Sequence, residues 1–165
     1  MVTQLIVGDA TYELVTTRRI LERLPEEHMS WKPHEKSMTL GELATHLINL
    51  LNWQIAILQY SEFDLSTVPL RRKPLEKQSA VLEEFGANFG KLKNLLAKCD
   101  EKALGEEWTL RHGDQIIRRE PRAIAFRTFG LNHMVHHRAQ LGLYLRLLDI
   151  SVPGIYGPSA DEEAQ

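Results

Sequence analysis

The chain has 165 residues, 43% of them hydrophobic and 25% charged, which is close to the average for a globular protein. We therefore expect one domain over residues 1–165 with its own hydrophobic core, and we exclude a disordered chain. The formal net charge of −2 argues against a nucleic-acid-binding protein, which would normally carry a basic excess or a basic face. The run Arg71-Arg72-Lys73 is too short to change this and is interpreted as a solvated loop.

The sequence also lacks the signals of a membrane or secreted protein. No segment reaches the roughly 18 apolar residues of a membrane span, and residues 1–12 have no basic leader region. Cys99 is the single cysteine, so an internal disulfide is excluded. It is interpreted as a small buried or half-buried residue rather than a nucleophile. We expect a cytoplasmic protein that does not contact a membrane.

The first two helices are marked by their ends. Asp9 is a suitable N-cap for a helix over residues 9–24, and Pro25 stops it. A second helix is predicted over residues 40–60. Its start, Thr39-Leu40-Gly41-Glu42, fits the capping box, in which a hydroxyl and a carboxylate each bond the other residue's backbone amide.

The second helix carries two apolar strips on different faces. One contains His46 together with Leu43, Leu50, Trp53 and Ile57; the other consists of Leu40, Leu47, Leu51 and Leu58. A helix that is apolar over much of its circumference needs partners on more than one side. It therefore lies centrally in a bundle, or one strip packs against another subunit.

The middle of the chain combines a loop, a helix and a short β segment. Residues 61–74 hold two prolines and a charge cluster and are predicted as a loop. A third helix follows, starting at Leu75 or Gln78 and ending near Lys98. Residues 107–119 then resemble a β-hairpin around Gly113. A lone hairpin is marginal in water, so it must pack against the helices.

The fourth helix is predicted from Pro121, which suits a first helical position, to Leu148. One face of it collects aromatic and polar side chains: Phe126, Phe129, Gly130, His133, His137, Gln140 and Tyr144. Residues 150–165 are predicted as loop. Four helices, one of them reached by a crossover connection, indicate an all-α fold of the four-helix-bundle type, with a short β-hairpin before the last helix.

Three of the seven histidines stand out as metal ligands. His133 and His137 are four residues apart, so their side chains lie one above the other on a helix, and His46 lies on the core-facing side of another helix. Three imidazoles around one ion would leave coordination positions open, as in catalytic metal sites. All-imidazole ligation suits zinc, nickel, iron, copper or cobalt. His28, His34 and His112 lie in polar contexts and are expected at the surface.

Several neighbouring residues leave alternatives open. His136 could compete with His137 as a ligand, although it points about 100° away around the helix. Met134 stands where the HExxH motif of metalloproteases has its glutamate, which disfavours peptide hydrolysis of that type. Glu42 and Asn49 lie about one turn from His46 and could orient an imidazole. For Glu42 the capping role is the favoured interpretation.

Four motifs together resemble the DinB superfamily of small metal-binding helical proteins, which includes YfiT-like and thiol-transferase-like branches. They are Trp31-x-Pro33, Thr39-Leu40-Gly41-Glu42-Leu43-Ala44-Thr45-His46-Leu47, His133-x-x-x-His137-Arg138-x-Gln140-Leu141 and Pro153-Gly154-Ile155-Tyr156-Gly157. The resemblance covers nearly the whole chain. It implies that His46, His133 and His137 bind one divalent metal, commonly nickel or zinc, and that the protein forms a homodimer.

The resemblance also implies an activity. Characterised relatives are transferases or isomerases in which the metal activates a low-molecular-weight thiol as a nucleophile toward a small-molecule substrate. The aromatic residues Trp53, Phe126, Phe129 and Tyr144 could wall the pocket, or simply belong to the core. Two alternatives stay open: a metal-dependent hydrolase, and a non-catalytic metal-binding stress-response protein.

Overall fold

The computed structural model describes residues 2–68 and 73–162, and most of these residues are helical. In chain order the helices are α1 (Val2–Leu21), α2 (Leu40–Gln59), α3 (Gln78–Leu96), the short α4 (Glu101–Gly105) and α5 (Arg122–Ala125), and α6 (His133–Leu147). The strands are β1 (Glu62–Asp64), β2 (Glu107–His112) and β3 (Gln115–Pro121). No helix of the described segments is long and apolar enough to span a membrane. Arg71 and Arg72 lie outside the described residues.

Helix α1 begins earlier than its sequence predicts. Asp9 is not an N-cap: it lies inside the helix, and its carboxylate pairs with Arg127 at 3.0 Å. Ile6 is buried and Val7 packs against the core, so the turns before Asp9 are stabilised by packing rather than by a cap. The predicted start at residue 9 and end at residue 24 are therefore wrong, although the helix itself is present.

Helix α2 follows its prediction closely. The Thr39 hydroxyl accepts a hydrogen bond from the Glu42 amide at 3.2 Å, and the Glu42 carboxylate accepts one from the Thr39 amide at 2.7 Å. The capping box is confirmed. Both apolar strips are covered within the chain, because α2 packs against α3 on one side and against the last helix on another. The second strip therefore gives no evidence for another subunit.

A small three-stranded sheet, in the order β1-β2-β3, corrects the prediction of an all-α fold for the described residues. The hairpin of β2 and β3 is confirmed, with Gly113 in the left-handed conformation at its turn (φ 57°). Strand β1 lies in the predicted loop and pairs with β2 in parallel, with Glu62 opposite Thr109. Trp108 and Leu110 of β2 are buried, which attaches the sheet to the helices.

The last helix is continuous in backbone from Arg122 to Leu147 but changes type. Between α5 and α6, residues Phe126–Asn132 form a π-helix, named here the π segment. The backbone stays right-handed at both junctions. Pro121 is extended and ends β3, so the predicted first helical position is one residue too early. The sequence pattern predicted one unbroken α-helix, and the π segment is a departure from it.

Arg122 fixes the start of this last helix against the end of α2. Its buried guanidinium donates hydrogen bonds to the carbonyls of Ile57 and Tyr60, the latter at 2.9 Å. These carbonyls belong to the C-terminal turn of α2, where the last acceptors of a helix have no partner within it and a cation is favoured. The two helices are thereby held side by side.

Residues 150–162 form a loop, as predicted, and this tail docks on α1 and α6. The buried Arg138 of α6 lies between the tail and α1. It pairs with Glu13 of α1 at 2.7 Å and donates a hydrogen bond to the Tyr156 hydroxyl of the tail at 2.7 Å. Farther along, Arg146 forms two hydrogen bonds with Asp161, at 2.8 and 2.6 Å. The tail is therefore attached by charged hydrogen bonds rather than by apolar packing alone.

Candidate metal centre

The structure brings together the three histidines that the sequence singles out. The ring centroid of His46 lies 5.4 Å from that of His133 and 4.5 Å from that of His137, and the latter two are 4.8 Å apart. One nitrogen from each ring can be chosen so that all three lie within 4.8 Å of one another. Nothing else among the described residues forms a comparable group of metal-ligating side chains.

Two helices supply these side chains. His133 is the first residue of α6, and His137 follows one turn later, so the Nε2 atoms of the two rings lie 3.0 Å apart. His46 comes from the second turn of α2, behind the capping box that fixes where this helix begins. The convergence therefore depends on how α2 packs against the last helix.

Gln140 orients the ring of His137. Its side-chain oxygen lies 2.7 Å from Nδ1 of His137. A carboxamide oxygen can only accept, so Nδ1 carries the hydrogen and Nε2 keeps its lone pair, facing His133. Hydrogen bonds of this kind to the far nitrogen of a histidine are the usual support of a metal-ligating ring. Sequence reasoning placed Gln140 on the same stripe but did not assign it this role.

The surroundings keep all three imidazoles neutral. Burial lowers the pKa of His46 to about 4, helped by the charges that His137 and His133 would carry. Burial, His137 and His136 likewise lower the pKa of His133 to about 4. Burial also lowers the pKa of His137, although its hydrogen bond to Gln140 opposes the shift. Neutral imidazole is the form that binds metals.

An aromatic wall flanks the cluster. Trp53 of α2 stacks on Phe129 of the π segment, with ring centroids 4.7 Å apart and planes 7° apart. The Trp53 ring lies 6.4 Å from His46, and the Phe129 ring lies 6.0 Å from His133. The other two candidate wall residues belong elsewhere: Phe126 is fully buried in the core, and Tyr144 packs edge-on against Trp31.

His136 and Glu42, which the sequence left as possible members of the site, lie outside the group of three histidines. His136 is exposed, and although its ring lies 4.8 Å from that of His137 it is not part of the group. Glu42 is engaged in the capping box, as favoured from the sequence. His34 and His112 are exposed, as expected, whereas His28 is only half-exposed. Cys99 is half-buried, and burial raises the pKa of its thiol. Both observations agree with its interpretation as a small, partly buried residue rather than a nucleophile.

The donor set fits a divalent metal ion. Two imidazole nitrogens bound to zinc at about 2.0–2.1 Å in a tetrahedral arrangement are roughly 3.4 Å apart. The 3.0 Å separation of Nε2 of His133 from Nε2 of His137 is close to this, and the 4.8 Å limit for all three nitrogens requires only a small closing movement.

Comparisons with known proteins identify the family and the fold of the chain. The family model of the DinB family matches residues 12–165. The chain belongs to the DinB family. An uncharacterized protein, YrdA of Bacillus subtilis (strain 168), is similar at 24% identity over 158 residues, covering 93% of this chain and 87% of that protein.

Solved structures of DinB-like proteins share the fold. One from Bacillus cereus ATCC 10987 has a TM-score of 0.69 at 21% identity, covering 92% of this chain and 95% of that one. YjoA of Bacillus subtilis has a TM-score of 0.70 at 19% identity, covering 92% and 96% of the two chains. A third, from Exiguobacterium sibiricum 255-15, has a TM-score of 0.64 at 18% identity, covering 97% and 96%. The resemblance stated from the sequence is thus confirmed at the level of family and fold.

Proposed function

We propose that this DinB-family protein is a metal-dependent enzyme, with His46, His133 and His137 as the ligands of one divalent transition metal ion. The observation that carries the proposal is the convergence of three neutral imidazoles from two helices. Nickel and zinc are the ions favoured by the family resemblance. Three protein ligands leave a coordination position for a further molecule, as in catalytic zinc sites.

The charge of the site supports activation of a thiol. The groups that shift the pKa values of these histidines, among the described residues, are other histidines, Gln140 and the Phe129 backbone; none is a carboxylate. Three neutral ligands leave the full charge of a divalent ion uncompensated, so an anion is preferred at the remaining position. When bound, such an ion lowers the pKa of a coordinating thiol enough to deprotonate it.

We therefore infer a transferase that uses a low-molecular-weight thiol as the nucleophile toward a small electrophilic substrate. The protein's own contribution is to hold the imidazoles in their neutral form and to orient His137 through Gln140. Trp53 and Phe129 shield one side of the cluster from water. Exclusion of water strengthens electrostatic interactions within a site and suppresses competing hydrolysis.

The architecture around this site is part of the proposal. We interpret the long helices as a four-helix bundle in a single domain, with the histidine cluster between α2 and the last helix. The homodimer stays a prediction from the family resemblance, and sedimentation velocity on the metal-loaded protein would test it.

Metal content is the first test. Protein purified without an affinity tag should contain about one transition metal ion per chain by elemental analysis, and His137→Ala should contain much less. His34→Ala, which removes an exposed histidine outside the cluster, is the matched control and should keep the metal. Equal metal content in all three proteins would contradict the assignment of the ligands.

Activity is the second test. Metal-loaded protein should accelerate the reaction of a cellular thiol with monochlorobimane, and the acceleration should be lost in His137→Ala. No acceleration with any thiol of a broad panel would rule out the transferase. Ester hydrolysis without added thiol would favour a hydrolase instead. Tight metal binding without any turnover would favour a non-catalytic metal-binding protein.

A further inference from the structure

The π segment leads directly into His133, the first of the two clustered histidines of α6. π-Helical turns are rare and mostly occur as short insertions within α-helices, frequently at functional sites. Here seven residues, Phe126–Asn132, adopt this form directly before the first candidate ligand of α6. A wider turn at this point changes the direction in which the following side chains leave the helix. The position of the π segment relative to α2 therefore affects where His133 and His137 lie.

Two consecutive residues of α2 contact the π segment. Trp53 stacks on Phe129, and Gln54 lies against Gly130, the next residue of the π segment. A Cβ atom added to Gly130 would lie 2.7 Å from Cγ of Gln54, a distance that real Cβ atoms do not adopt. Gln54 is fully buried, so it cannot swing into solvent to make room.

The hydrogen bonding of Gln54 indicates that its side chain is held against Gly130 by packing. Its side-chain oxygen has no partner among the described residues, and its nitrogen has only the Met134 sulfur at 3.9 Å. An unsatisfied buried polar group costs about 1–3 kcal/mol. The carboxamide is therefore held there by the close approach of the two helices and not by strong hydrogen bonds of its own.

The two helices run antiparallel along this contact. Going from His46 to Gln54 on α2, the facing residues of the last helix go backwards, from His137 and His133 to Gly130. Eight residues of α2 span about 12 Å. The contact between Gln54 and Gly130 thus lies roughly two helical turns from His46. If the two helices moved apart at this contact, His133 would move away from His46.

We propose that Gly130 and Gln54 are positioning residues for the histidine cluster: the absence of a side chain at residue 130 lets the π segment approach α2 closely enough for His133 to reach His46. The proposal rests on the proposed metal site, because its main readout is metal affinity. In this proposal neither Gly130 nor Gln54 contacts the ion or a substrate directly.

Gly130→Ala is the direct test, with Co²⁺ as the probe. We expect the affinity for Co²⁺ to fall at least tenfold and the visible absorption of the Co²⁺ complex to change. If glycine mattered only for local helix stability, alanine would stabilise the helix instead, since glycine disfavours helix interiors. Gly90→Ala is the matched control, because a Cβ atom there meets nothing within 4 Å. It should leave the Co²⁺ affinity within about twofold of wild type.

A second variant keeps the proposal open to test if Gly130→Ala folds poorly. Truncation of Gln54 removes the atom with which the new Cβ collides, so in a Gln54→Ala background the Gly130→Ala change should alter the Co²⁺ affinity less than threefold. Equal losses in both backgrounds would overturn the proposal. So would an unchanged affinity and an unchanged spectrum in Gly130→Ala alone.

A crystal structure of metal-free Gly130→Ala separates this proposal from the metal site itself. The ring centroids of His46 and His133 should then be more than the 5.4 Å apart seen here. An unchanged separation would overturn the positioning role. If the separation grows while the wild-type protein binds no metal, the positioning role stands and the proposed function fails.

Discussion

At the scale of single residues, the hydrogen bond from His137 to Gln140 has the most direct effect on the proposed metal site. It fixes which nitrogen of the ring is protonated and holds the other toward His133, 3.0 Å away. The alternative tautomer would turn a hydrogen toward any cation between the rings. The Gln140 carboxamide therefore favours the tautomer of His137 in which Nε2 is free to bind a cation.

Gln140→Leu should weaken zinc binding by roughly 10–100-fold, the usual effect of removing the hydrogen-bond partner of a ligating histidine. Competition with a chromogenic chelator would measure it. Gln140→Glu is the matched control: a carboxylate accepts the same hydrogen bond, so the affinity should be kept or increased. A loss in Gln140→Glu as large as in Gln140→Leu would show that the hydrogen bond is not what matters.

The neutral state of the cluster makes the stability of the metal-free protein depend on pH. His46 and His133 have a pKa of about 4 in the folded chain, well below the value near 6.5 of a free histidine. Between pH 6.5 and 4 the unfolded chain thus binds protons that the folded chain refuses, and the free energy of unfolding falls as the pH falls.

Urea denaturation at several pH values, with metal removed by a chelator, would measure this dependence. The fall between pH 6.5 and 4 should be smaller in His46→Asn, which removes one of the two shifted groups. His34→Asn, with an exposed side chain away from the cluster, should behave as the wild type does. A stability that rises with acidification over this range would contradict the lowered pKa values.

At the scale of helices and loops, the buried Arg138 joins three parts of the chain. It sits on α6 beside His137, pairs with Glu13 of α1, and bonds the Tyr156 hydroxyl of the tail. That hydroxyl also donates to both carboxylate oxygens of Glu13, at 2.8 and 2.9 Å. Removal of one charge would leave the other buried without an opposite charge, held only by neutral hydrogen-bond partners such as the Tyr156 hydroxyl.

Arg138→Met should destabilise the protein by about 3–5 kcal/mol, the usual cost of breaking a buried ion pair on one side. Chemical denaturation would measure the loss. In the double variant Glu13→Leu with Arg138→Met, much of the stability should return, because no unpaired charge remains. If the double variant is as unstable as the sum of the two single variants, the ion pair is not the source of the effect.

The boundaries of these elements show what a sequence can reveal. The capping box at Thr39 and Glu42 is a local signal, and α2 begins where it predicts. Strand β1 has no such signal: its partner, Thr109, lies 47 positions after Glu62 in the numbering, and only the folded chain brings them together. Asp9 carries a local capping signal that packing of the preceding turns overrides.

In the candidate site, too, some features could be predicted from local sequence and others depend on how the helices pack. The spacing of His133 and His137 and the apolar surroundings of His46 were enough to predict their convergence. The π segment was not predictable from an α-helical pattern, because periodicity assumes one helix type throughout. The contact of Gln54 with Gly130 depends on the distance between two helices, and no pattern within either helix encodes that distance.

At the scale of the whole molecule, a bound ion would link folding to metal supply. The three proposed ligands come from α2 and α6, which are distant in sequence, so the complete set exists only in the folded chain. A ligand that binds the folded state alone stabilises it by about 2.7 kcal/mol at a free concentration one hundred times its Kd.

Zinc or nickel at that excess should therefore raise the Tm by about 5–10 °C for a domain of this size. Differential scanning fluorimetry with and without a chelator would measure the shift. His137→Ala should lose most of it, whereas His34→Ala should keep it. An equal shift in His137→Ala would mean that the metal stabilises the protein through other residues.

The outer strand of the sheet bears on how the protein behaves at high concentration. Strand β3 is exposed at nearly every position, and its far side offers backbone groups on which a foreign strand could align. Successive charges at Arg118, Arg119 and Glu120 deter such docking, and Pro121 withholds an amide hydrogen just where the strand ends. These residues therefore disfavour the pairing of another strand along the second half of β3.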